Sequence, residues 1–534
     1  MSNTIFVIAL IAILFCNSEE RFIKYDIIYT LNYLFSIYCY RNRQSWHIPR
    51  RDRTDGDLTI KLNIDGSSSA AITDYKLSGN KVTVSGSTVT VVIPDGQSFV
   101  DINLTAIDDI QAEANETVKL NLANDANYKI DTASNAATVT ISRNDTVVIN
   151  INDNGEGSLR QAIENANAFA GTDTVSFAGT VYTDAFADTI SLVSGELSIT
   201  DDVIIQGTGA KNLTVSGNNT SRVFNISGTQ TDATIDAIAI IDGNAGTANG
   251  GAILVNDGNT LNLTNSKLSN NKAARGGALS NVGRTTVTNS TIDSNQSLIG
   301  GGGIYNFNTI TINDSTLSNN LASTNGGAFA TVNIATVSNS TISGNAANSS
   351  GGGITNSALL ILNSSTIANN TADADNDSAG DGGGVIKLGG TVTASNTIIA
   401  TNKDLGGEAP DVFGNVTGNA NNLIGTTSGA SGTIGTGSDI VNPDPGLAPL
   451  ANNGGPTQTH ALLASSPAIN AGSNSFVLPD VTTDQRGTGF DQIKFGTIDI
   501  GAFEVQETIV SLKAVSSHCH RNGNSRDLSS QSYW

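Results

Sequence analysis

Cysteine, methionine and tryptophan are nearly missing from this chain of 534 residues, which holds three, one and two of them. All six lie near the ends: Met1, Cys16, Cys39, Trp46, Cys519 and Trp534. Residues 57–506 contain none, so a disulfide framework or a thiolate-ligated metal is excluded there. That region has one histidine, His460, which leaves little for Cys–His or Ser–His nucleophilic chemistry. Charged residues make up only 14 %, too few for a disordered acidic polymer. Basic residues are scarcer than acidic ones, and the net charge of −21 argues against nucleic acid or an anionic membrane as partner. Strong helix formers are sparse, while Asn, Thr, Ser, Gly, Ile and Val dominate, which predicts a mostly-β protein.

The charge is unevenly spread. Residues 1–56 hold seven Lys/Arg and five Asp/Glu, and residues 507–534 three and two, so 57–506 carry a net −24. The first 56 residues are aromatic-rich. Residues 5–16 form an apolar run of twelve, the length of a signal-peptide core and too short to span a bilayer. No basic residue precedes it and no small-x-small site follows it. This atypical N-terminal segment reads as an export signal or as a mis-assigned start.

Residues 57–146 alternate with period two in short runs: Leu58 to Leu62, Val82 to Val84, Val89 to Ile93, Asp101 to Leu104, Val118 to Leu122 and Ala137 to Ile141. Pro94-Asp95-Gly96 marks a tight turn, Pro presetting φ and Gly supplying a positive one. About seven short strands in ninety residues suit an antiparallel β-sandwich. Carboxylates gather at strand ends, where loops of a sandwich converge. Clustered carboxylates repel unless a cation neutralises them, and Ca²⁺ is the hard, oxygen-ligated ion that fits.

Asp74-Tyr75, Val92 to Gln97, Ile107-Asp108-Asp109 with Glu113-x-x-Glu116-Thr117, Thr138 to Ile141 and Asn144-Asp145 together resemble a Calx-beta domain. The resemblance implies an immunoglobulin-like sandwich that binds Ca²⁺ at one end, with Asp74, Asp108, Asp109, Glu113 and Asp145 as ligands. The family's run of aspartates after the last strand is reduced here to Asn144-Asp145. A purely structural sandwich, in which these residues only form turns, stays open beside it.

Residues 147–440 carry an internal repeat. Gly-Gly pairs recur at 250, 276, 302, 326, 352 and 383, and the anchors Leu268, Ile292, Leu317, Ile342 and Ile367 stand 24, 25, 25 and 25 residues apart. Each unit has short strands split by Gly or Asn turns and cannot bury its own apolar face alone. Stacked units can, as one coil of a parallel β-helix per repeat, rising about 4.8 Å per coil. Asn at equivalent corners then stacks its amides into a ladder, which gives the Asn-rich turns a structural cause. From Ile367 to Ile398 the spacing stretches to 31, and the surplus holds Asp373, Asp375, Asp377 and Asp381. Without Gly at the sixth position and Glu at the twelfth this is no EF-hand, and a solvated surface loop is expected.

Residues 152–167 are the one clear helix signal, with Leu159, Ile163 and Ala166 on one face and Ser158 as N-cap, placed to plug the open end of the β-helix. This segment resembles the helix-opening motif of bacterial surface β-helix proteins. The Gly-Gly units resemble repeats of polymorphic outer-membrane proteins and the pectin-lyase-like superfamily. Residues 441–506, with Asp484-Gln485-Arg486-Gly487 and Asp499 to Glu504, resemble the choice-of-anchor Q region that follows β-helices in such proteins; a cap on the last coil is expected there. Residues 507–534 are an unassigned tail.

The fold class expected is all-β: an immunoglobulin-like β-sandwich followed by a right-handed single-stranded parallel β-helix. These resemblances imply a non-enzymatic, Ca²⁺-binding adhesion protein, extracellular or on the outer cell surface, whose partner is an extracellular polysaccharide or a surface protein. The alternative is a polysaccharide lyase or hydrolase. That chemistry needs dense clusters of carboxylate with Arg or Lys. Between 250 and 370 the carboxylates are only Asp257, Asp293 and Asp314, and no coil there groups both signs densely.

Overall fold

The computed structural model describes residues 44–49, 56–97, 99–107, 115–141, 146–183, 186–377 and 380–507. They fall into two units. The first is antiparallel, built from β1 (Gln44–Pro49), β2 (Leu58–Ile64), β3 (Tyr75–Ser78), β4 (Val82–Ser85), β5 (Thr88–Ile93), β6 (Phe99–Ala106), β7 (Glu116–Leu122) and β8 (Ala136–Ile141). One sheet runs β4-β5-β2-β7-β8 and the other β1-β6-β3. Both sheets turn alternate residues into one apolar core, including Val91 and Ile93 of β5, Ile102 and Leu104 of β6, and Val118 and Leu120 of β7. The Pro94 turn closes as expected: Gln97 N donates to Pro94 O (3.0 Å), and Gly96 has φ 77°. The atypical N-terminal segment supplies β1, which pairs antiparallel with β6; residues 1–43 lie outside the described residues.

The second unit is a parallel β-solenoid. One face is an eleven-stranded parallel sheet, running from Asp188–Ser191 to Ile440–Val441. Its register stacks Leu268 on Ile292, Leu317, Ile342 and Ile367, all fully buried. The next rung is Ile399, not Ile398, so the long coil has 32 residues. Ile398 points outward instead, into a separate apolar cluster.

The corners explain the polar repeat. At the turn into this sheet Asn265, Asn289, Asp314, Asn339, Ser364 and Asn396 take the left-handed conformation. Each is followed by a buried Ser or Thr. Ser266 N donates to Ser290 Oγ, Ser290 N to Ser315 Oγ and Ser315 N to Ser340 Oγ. At the turn out of it, Asn271, Asn295, Asn320, Asn345, Asn370 and Asn402 form a continuous amide ladder. In each rung the backbone N–H and Nδ2 both donate to the next Oδ1 at 2.8–3.0 Å. The ladder ends on Asp411, whose Oδ1 accepts from Asn402 and whose Oδ2 accepts from Thr426 N. The Gly-Gly pairs are required by close approach. Gly276 has φ 63°, and a Cβ on Gly277 would lie 2.2 Å from Gly302 O.

α1 (Leu159–Ala168) is capped by Ser158, whose Oγ accepts from Gln161 N (3.2 Å). Leu159, Ile163 and Ala166 enter the solenoid core at its first coil. The C-terminal segment does not behave as a cap on the last coil. It runs back along the eleven-stranded face as a strap. Asn421 reaches Ala471 O (2.8 Å), Asn396 reaches Ser473 O (3.0 Å) and Ala502 N donates to Thr366 Oγ1 (3.1 Å). Thr341 Oγ1 donates to Gln485 Oε1, and Thr316 Oγ1 to Gln458 O, both at 2.6 Å. The outward Thr and Ser of successive coils supply a polar landing strip. Outward Ile398, Ala400 and Leu423 bury against Leu462, Ala468, Ile500 and Val505.

Candidate functional site

Of the five expected ligands, Asp74 is described; Asp108, Asp109, Glu113 and Asp145 lie outside the described residues. Asp74 sits just before β3. Its Oδ2 accepts from Ala71 N (2.5 Å) and its Oδ1 from Thr73 Oγ1 (2.8 Å). Glu116, which opens β7, was placed in the same acidic loop but not in the ligand set. Its carboxyl lies close enough to Asp74 to share a hydrogen bond with it. Burial raises the Glu116 carboxyl, and the charge of Asp74 raises it further. Two carboxyls thus meet at one end of this unit.

The coil insertion differs from a simple solvated loop. Carboxylate oxygens of Asp373, Asp375 and Asp377 lie within 4.8 Å of one another, and those of Asp381, Asp404 and Glu408 do likewise. The two groups adjoin: a Cβ on Gly406 would stand 2.7 Å from Glu408 Oε2, 3.3 Å from Asp404 Oδ1 and 3.5 Å from Asp373 Oδ2. Asp373 is fully buried, and its Oδ1 accepts from Asp377 N (3.0 Å). Burial raises the Asp381 carboxyl, with Asp404 and Glu408 adding to it. Three converging oxygens supply part of the shell of six to eight that Ca²⁺ takes. Sequence reading found the aspartates of the insertion and missed Asp404 and Glu408. The coil register is the signal that joins them, since Ala372 pairs with Asp404.

The carboxylates along the repeat are tied down locally. Asp293 Oδ1 accepts from Ser318 Oγ (2.8 Å) and Asn319 Nδ2 (2.9 Å), and Asp236 Oδ1 from Thr264 Oγ1 (2.6 Å) and Asn265 Nδ2 (2.7 Å). His460 makes a Ser–His contact, with Nε2 2.8 Å from Ser343 Oγ. Its Nδ1 donates to Ala448 O (2.7 Å), so Nε2 accepts from the serine. Both residues are buried where the strap meets the coil, and burial pushes the imidazole pKa down. The pair anchors the strap to the coil.

The strap's own centre is charged. Arg486 lies between the rings of Phe490 and Phe503, 3.9 and 3.7 Å from their centroids, and its Nη2 pairs with Asp484 Oδ2 (2.6 Å). Asp499 and Glu504 are buried beside it. No family model matches the chain, and neither a curated protein nor a solved structure matches it.

Proposed function

We propose that this protein is a non-enzymatic, Ca²⁺-binding surface or secreted adhesion protein. On this reading the antiparallel unit is an immunoglobulin-like, Calx-beta-type sandwich that takes Ca²⁺ at its acidic end. The solenoid, of the right-handed pectin-lyase-like kind, is the extended scaffold that meets a polysaccharide or a surface protein outside the cell. The observation that carries it is the meeting of Asp74 and Glu116, two carboxyls near enough to share a hydrogen bond, whose mutual repulsion once ionised a cation would relieve. The acidic groups at the coil insertion offer a second place for the same ion. The scaffold role rests on the outward Thr, Ser and Asn rows and on the locally tied Asp236 and Asp293.

Calorimetry of the full chain tests the ion. Ca²⁺ at 100 times its Kd adds about 2.7 kcal/mol to the unit that binds it, so one transition moves up in Ca²⁺ and not in equal Mg²⁺ or salt. Asp74→Asn abolishes that shift if the acidic end is the site; a shift kept in Asp74→Asn and lost in Asp375→Asn/Asp377→Asn moves the site to the coil. Equal shifts with Mg²⁺ defeat the Ca²⁺ reading. Steady release of sugar from any uronan defeats the non-enzymatic one.

A further inference from the structure

The strap buries more acid than base. Asp484, Asp499 and Glu504 are 1, 2 and 1 % exposed. Asp314 faces them from the solenoid, half-buried beneath the strap, where Thr457 Oγ1 donates to its carbonyl (3.1 Å). The cation in this cluster is Arg486, already committed to Asp484 and to Glu504 O. Lys494 gives Glu504 only its backbone N–H (2.9 Å) and turns its ammonium to Asp491. His460, a buried titratable group of the strap itself, is held neutral between Ser343 and Ala448.

We propose that the strap is a pH-gated latch: it grips the flank of the solenoid in weakly acidic solution and loosens on the alkaline side, because four carboxylates and one guanidinium are brought together at this interface. Enclosing carboxylates away from water favours their neutral forms. Burial raises Asp484 and Asp499, takes Glu504 to about 7 and takes Asp314 to about 6, with the charge of Asp484 adding to the last. Backbone N–H groups on Asp499 and Glu504 work against the shift without cancelling it.

The sign follows from proton linkage. A carboxyl whose pKa is higher in the docked form binds more protons there, so docking weakens as pH rises from the ordinary carboxylate range through the docked values. His460 acts oppositely. Its lowered pKa means that docking also weakens as pH falls below its ordinary value near 6.5. Where the two windows overlap, several carboxyls outweigh the one imidazole, so the net change is a loss of grip toward alkaline pH.

Asp314 provides a test that leaves the fold alone. It occupies a left-handed corner (φ 50°) where neighbouring coils carry Asn289 and Asn339 at 50° and 46°. Asp314→Asn restores the repeat residue and removes one carboxylate. Hydrogen–deuterium exchange on the full chain, corrected for intrinsic rates, reads docking through residues 499–505, with residues 328–331 of the solenoid as reference. Protection of 499–505 is expected to fall about ten-fold or more from pH 6 to pH 8.5 while the reference holds, since a carboxyl with a docked value near 7 gives up about a factor of ten as pH rises from 6 past that value. In Asp314→Asn, with the melting point at pH 6 unchanged, the fall shrinks by about two-fold, the share of a carboxyl half ionised at pH 6. Protection that stays constant across this range, or an unreduced fall in the variant, overturns the latch.

Discussion

Asn320→Leu is expected to be the most damaging single change in the solenoid. Asn320 Oδ1 accepts from Asn295 N (3.0 Å) and Asn295 Nδ2 (2.9 Å), while its own Nδ2 donates to Ile292 O and to Asn345 Oδ1, both at 2.9 Å. Leucine has nearly the same shape and none of these bonds. The variant strands the buried Asn295 amide, half of its side-chain amide and a carbonyl. At about 1–3 kcal/mol for each orphaned group, the loss comes to about 3–6 kcal/mol, large even among core substitutions. Asn319→Gly, one residue away, is the control. Gly344 holds the equivalent corner of the next coil at φ 70°, so this change costs under about 1 kcal/mol. Denaturant midpoints of the two variants make the comparison. Similar losses in both would mean that the ladder is not what holds adjacent coils together.

The second large effect belongs to Arg486→Met. Methionine keeps much of the apolar contact with Phe490 and Phe503 but leaves Asp484 buried without its cation. Removing one partner of a buried ion pair costs about 3–5 kcal/mol. Here the cost falls on the strap, whose contacts to Thr341, Thr366 and Ser343 are side arms of coils that are closed by their own ladders. Thermolysin is therefore expected to cut residues 442–507 quickly in the variant while a fragment spanning 250–370 persists. Equal cleavage of both segments would show that the strap and the coils unfold as one body.

The repeat and its corners were legible because the same physical demand recurs at a fixed interval. A left-handed corner needs Gly, Asn or a small polar residue, and an inward rung needs Val, Ile or Leu, so sequence and register agree from Leu268 to Ile367. Reading failed where the period broke. Ile399 rather than Ile398 continues the stack, because the insertion adds seven residues and outward Ile398 buries under the strap. Asp411 takes the ladder position only nine residues after Asn402, across a loop that erases the spacing. The strap's place was not legible either. Thr316, Thr341 and Thr366 look like ordinary solvated strand residues until a distant segment lies on them. At the acidic end, Asp74 and Glu116 both lie in the motif that carries the resemblance, but their pairing is disclosed only when the segments that open β3 and β7 meet.

The coil itself is tested most directly by placing spin labels one period apart. In a chain whose three cysteines are replaced by serine, labels at Thr286→Cys and Thr311→Cys sit on in-register partners of adjacent strands, about 4.8 Å apart along the stack. Labels at Thr286→Cys and Leu298→Cys sit half a turn apart on different faces of the coil. A parallel stack requires strong dipolar broadening for the first pair and markedly weaker broadening for the second. A first pair as narrow as the second would mean that residues 25 apart are not neighbours, and the solenoid would be wrong.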